Sequence, residues 1–166
     1  MVPSFCIPAW GFAKEIVMSS EWADSLISER NRKVEQRRIE DERVENDSKL
    51  VATNIEPRWK SICKLVKQYV QELNEASKEH LLRPIVKPTS IVISLRKGRR
   101  STTRIDLNLG CKQLNVPFYK LPLRLIVNRS GVLIWKSSAT SDPRSLWNED
   151  QIAKLFVEYA WDHLHR

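Results

Sequence analysis

From Asn54 onward the apolar positions fall at helical spacing. Ile55, Trp59, Ile62, Val66, Tyr69 and Leu73 recur at intervals of four, three, four, three and four, and Leu65 and Val70 widen the stripe. This pattern predicts a helix that buries one broad face against a sheet or another helix layer, the alternative being a dimerising seam. Asn54 can cap that helix, and Pro57 is acceptable in its first turn. Pro84 and Pro88 then predict an extended linker.

Beyond the linker the period switches to two. Ile91, Ile93 and Leu95 alternate with Val92, Ser94 and Arg96, and after a Lys97-Gly98-Arg99-Arg100 turn, Thr103, Ile105, Leu107 and Leu109 alternate with Thr102, Arg104, Asp106 and Asn108. Such alternation predicts two half-buried strands of one hairpin. A second hairpin is predicted from Pro122–Asn128 and Val132–Lys136, turning at Asn128-Arg129-Ser130-Gly131. Trp135 reads as core if it faces inward and as a stacking platform if it faces outward. Asn148 caps a last helix, with Glu149 and Asp150 suited to its positive end. The order helix, two hairpins, helix predicts an α+β fold with an antiparallel four-stranded sheet and flanking helices.

The segment before Asn54 has a different character. From Glu29 to Lys49 there are seven bases and seven acids, with no Gly and no Pro. Ser20 can cap a helix starting at Glu21, and opposite charges stand four apart at Glu29–Lys33, Arg37–Asp41, Arg38–Glu42, Arg43–Asp47 and Glu45–Lys49. Each pair stabilises a helix by about 0.2–0.5 kcal/mol. Val34, Ile39 and Val44 are five apart and do not share a face, so no heptad seam forms. The segment reads as a solvated helix of up to about 50 Å, with a partly disordered tether and a coiled coil as alternatives. The organisation expected is an apolar N-terminal tail (1–19), a charged helical arm (20–53) and an α+β domain (54–166).

Charge then narrows the partner. The chain of 166 residues has a net charge of +8. Between His80 and Lys136 stand twelve Lys or Arg residues against one acid, Asp106, whereas the arm is neutral. A field of one sign attracts polyanions. No apolar run approaches the roughly 20 residues of a membrane span, and Met1–Ser20 lacks the basic region of a secretory signal. The three cysteines, Cys6, Cys63 and Cys111, form no CxxC pair. Together these predict an intracellular protein, cytoplasmic or in the nucleoid or nucleus.

Strand alternation places Arg96, Arg104 and Arg124 on one sheet face, while Lys97, Arg99, Arg100 and Arg129 lie at the turns. These seven residues are the candidate nucleic-acid-binding set, because phosphate contact needs long or forked donors without nearby acids. No catalytic, cofactor or metal constellation stands beside them: the basic stretch has a single acid, and the four glycines form no phosphate loop. The expectation is a non-enzymatic nucleic-acid-binding module whose partner is DNA or RNA, without a cofactor. The alternatives are an oligomeric scaffold or interaction protein that uses the arm and the Ile55–Leu73 stripe, and a metal-independent ribonuclease built on Arg, Lys and Tyr.

Overall fold

The computed structural model describes residues 11–78, 81–95, 102–120, 122–137 and 146–164, with side chains from Ser20 onward. The chain divides into two compact units, residues 1–46 and 47–166. One helix, α1 (Gly11–Ser77), belongs to both.

In the first unit α1 carries charge on all sides. Lys33 pairs with Glu29 at 2.6 Å, and Arg38 with Glu42 at 2.7 Å, as their spacing predicts. Arg38 also reaches Glu35 through Nε and Nη2 at 3.0 and 2.7 Å. That contact holds the Glu35 carboxyl below its ordinary range. Ser20, expected as a cap, lies inside the helix.

In the second unit the expected break at Asn54 is absent. The Asn54 side chain donates from Nδ2 back to the Leu50 carbonyl at 2.8 Å, as Thr53 Oγ1 does to that of Lys49 at 2.9 Å. Pro57 therefore sits in the helix interior, where it removes one backbone bond and costs about 3 kcal/mol. Burial on both sides of it, by Val51 and Ile55 before and Trp59 and Ile62 after, opposes that cost, since each such side chain stabilises by about 1.5–3 kcal/mol. The helix stops where Lys78 turns left-handed at φ 55°. Asn74 then closes the corner: its amide donates to the Leu82 carbonyl at 2.9 Å and accepts from the Leu82 amide at 3.1 Å.

The sheet has seven strands where the alternation predicts four. They are β1 (Leu82–Lys87), β2 (Ser90–Leu95), β3 (Thr102–Asn108), β4 (Gln113–Asn115), β5 (Leu123–Val127), β6 (Leu133–Ser137) and β7 (Leu146–Trp147). They lie side by side in chain order, and every neighbouring pair is antiparallel. The segment expected as a proline linker is strand β1. It lies at the sheet edge, where a proline can sit without breaking a central ladder. β4 and β7, of three and two residues, are too short to show a period. The β5–β6 turn follows the expected residues. Gly131 takes φ 76°, and Asn128 Oδ1 accepts from the amides of Ser130 and Val132, both at 2.9 Å.

Asn148 caps α2 (Glu149–Leu164) as its sequence predicts: its Oδ1 accepts from the Gln151 amide at 2.8 Å, while its own amide donates to Gln151 Oε1 at 3.0 Å. Both helices pack on one face of the sheet. Trp59, Ile62 and Val66 of α1 join Ile152 and Phe156 of α2 over Ile91, Ile105, Leu114, Leu123 and Trp135 in a single core. Trp135 is completely buried, which excludes it as a stacking platform. The fold is thus α+β in two layers, helices on sheet.

Candidate anion-binding face

Strand alternation assigns one face of the sheet to the core and, among the described residues of the second unit, leaves the other bare. Register fixes which side chains share the bare face. Val92 stands opposite Arg104, Gln113 opposite Arg124, and Arg124 opposite Lys136. Arg83 and Lys87 on β1 stand opposite Ser94 and Ser90 on the same side. The outward residues are exposed or half-buried except Ser90, and the helical segments of the second unit pack on the other face.

The cations on this face are not equivalent. Arg104 is held by Asp106 two residues along the same strand, through Nε and Nη2, each 2.5 Å from Oδ1. Its charge is largely answered within the strand. Arg124 has no acidic partner among the described residues. With the Gln113 amide oxygen turned toward it, Gln113 accepts from Arg124 Nε at 2.7 Å and Nη2 at 2.8 Å. Those bonds steady the guanidinium and leave Nη1 for another acceptor. Lys136 lies directly across the ladder from Arg124. Like charges placed opposite one another destabilise a sheet, and an oxyanion between them converts that repulsion into attraction. Arg129 is exposed in the turn that closes the same hairpin.

Of the seven candidates, Arg104, Arg124 and Arg129 are placed in this way. Arg96, Lys97, Arg99 and Arg100 lie outside the described residues, in the segment that joins β2 to β3. Arg83, Lys87 and Lys136 were not in the candidate set. The alternation Arg83, Ile85, Lys87 was the available signal, but Pro84 and Pro88 pointed to a linker.

Among the described residues of this unit, the two unusual acidities lie in the helix layer. Burial pushes the Cys63 thiol up to about 11, with Lys67 opposing. The Tyr69 hydroxyl donates to Asp150 of α2, which raises its pKa. Neither group reaches the bare sheet face. Among the described residues no three His, Cys, Asp or Glu side chains gather as metal ligands, and no helix is long and apolar enough to cross a membrane. The chain matches no family model, no curated protein and no solved structure.

Proposed function

We propose that this chain is a non-enzymatic nucleic-acid-binding module that contacts phosphates through the bare face of its sheet. The observation that carries this reading is the Arg124–Lys136 pair: two cations in register on the outward face, with no ion pair to an acid among the described residues. A phosphodiester oxygen between them would accept a charge-assisted bond from the forked Arg124 and meet a point charge on Lys136. Arg129 extends the positive field to the hairpin tip, and the charge bias of residues 80–136 extends it further. Contacts of this kind read the backbone and carry little sequence choice.

The test is a mobility shift with DNA and RNA of equal length across a salt series. The double substitution Arg124→Ala and Lys136→Ala is expected to weaken binding to all sequences alike and to flatten the log–log salt slope by about 2. Arg104→Ala, whose charge Asp106 already answers, is expected to change the slope little. Absence of any shift with either nucleic acid at low salt overturns the proposal.

A second reading rests on a separate observation. Trp22, Leu26, Ile27, Val34, Ile39 and Val44 are exposed large apolar side chains on the first unit of α1. That surface favours a protein partner or a second copy along the arm. Sedimentation equilibrium of the intact chain checks the self-association form, which a concentration-independent monomer eliminates.

A further inference from the structure

On the helix side of the sheet, a groove of about 600 Å³ opens between α1, the β1–β2 turn and the end of β3. Its inner wall is apolar, formed by Trp59, Cys63, Val86 and Leu107. Trp59 is fixed there by its indole N–H, which donates to the Pro88 carbonyl at 2.7 Å. The rim is cationic: Lys60, Lys64 and Lys67 from α1 line it, against the single acid Glu56 among the lining residues.

Three features of this groove point the same way. First, the lysines on α1 stand four, three and seven residues apart, so they share one helical face and repel one another. On the arm the same spacings join opposite charges, as in Glu29–Lys33 and Glu35–Arg38–Glu42. Second, the three lysines are exposed beside a recessed apolar wall, an arrangement that separates the parts of a ligand into a charged end and an apolar body. Third, the volume lies in the range of small-molecule sites, about 300–1,000 Å³. Cys63 contributes to the wall as a neutral thiol, since burial pushes its pKa up to about 11.

We propose that this groove binds a small amphiphilic anion, with the apolar body against Trp59, Cys63, Val86 and Leu107 and the acidic headgroup among Lys60, Lys64 and Lys67. The site is on the opposite layer from the Arg124–Lys136 pair and stands independently of the nucleic-acid reading. A polyanion without an apolar part would meet the lysines and leave the wall empty, which is why the wall selects the amphiphile.

The experiment uses the full chain and dodecanoate below its micellar concentration, followed by calorimetry and by the rate of iodoacetamide alkylation at Cys63 at about pH 9.5, where a measurable fraction of this thiol is ionised. Dodecanoate is expected to bind saturably and to slow alkylation of Cys63 while leaving the exposed Cys111 unaffected. Inorganic phosphate and poly-glutamate are expected to give no protection, and decyl maltoside, which has the tail without the charge, little. The pair Lys60→Glu and Lys64→Glu is expected to weaken dodecanoate at least about tenfold, with Lys60→Gln and Lys64→Gln as the milder pair if charge reversal disturbs the fold. Equal protection by decyl maltoside, protection by poly-glutamate, or unchanged affinity in the folded lysine variants each overturns the assignment.

Discussion

Asn74 joins two elements through one side chain. It is buried, and its amide satisfies both backbone groups of Leu82 at the point where the chain leaves α1 for β1. Leucine has similar bulk but neither donor nor acceptor. Asn74→Leu is expected to cost about 1–3 kcal/mol, because two buried backbone groups lose their partner. A denaturant titration measures this as a lower midpoint with an unchanged slope. Cys63 gives a second residue-scale prediction, in the pH domain. Its thiol ionises near pH 11 in the folded protein, raised from 9.0 by burial. From about pH 9 to 11 the unfolded chain therefore releases this proton while the folded chain keeps it. The contribution of Cys63 is full below that window and is lost as pH rises through it. The wild-type midpoint is expected to fall more steeply with pH across the window than that of Cys63→Ala.

At the scale of elements, α1 and β1 both tolerate proline for reasons outside their own sequence. Pro57 stays helical because Val51, Ile55, Trp59 and Ile62 are buried on either side of it. Pro84 stays in a strand because β1 is the edge of the sheet. Pro57→Ala restores a backbone donor and removes the ring clash with the preceding turn. It is expected to stabilise the protein by about 1–3 kcal/mol, seen as a higher melting temperature with unchanged helix content. The arm is a different kind of helix. Its ion pairs are exposed, so salt screens them, and from Ser20 to Asn46 no buried apolar face reinforces them.

For the whole second unit, Glu149 is where the layers meet. Arg58 Nη1 from α1 lies 2.9 Å from each Glu149 carboxylate oxygen, and the Trp135 indole N–H donates to the same group at 3.3 Å. One carboxylate at the start of α2 thus links α1, α2 and the sheet. Glu149→Gln is expected to destabilise by about 1.5–3 kcal/mol. In a double-mutant cycle with Arg58→Met it is expected to show a coupling of at least about 0.5 kcal/mol. Within the second unit both helices pack on one face, and this separates the Arg124–Lys136 pair from the lysine-rimmed groove.

Local chemistry was sufficient for much of this. The 3.6-residue stripe from Ile55 to Leu73, the alternation in β2, β3, β5 and β6, the Asn128–Gly131 turn and the Asn148 cap are each written in neighbouring residues, because helix faces, pleats and caps act over a few positions. The charge bias around the hairpins was likewise visible in composition. What the sequence did not determine is non-local. Whether Asn54 starts a helix or lies inside one depends on burial either side of Pro57. Strands as short as β4 and β7 exist only because neighbours pair with them. Asp106 answers Arg104, whereas Arg124 faces Lys136, and only strand register decides that difference. The groove is non-local for the same reason: its lysines come from α1, and its wall from α1, β1 and β3, packing that no single stretch of chain records.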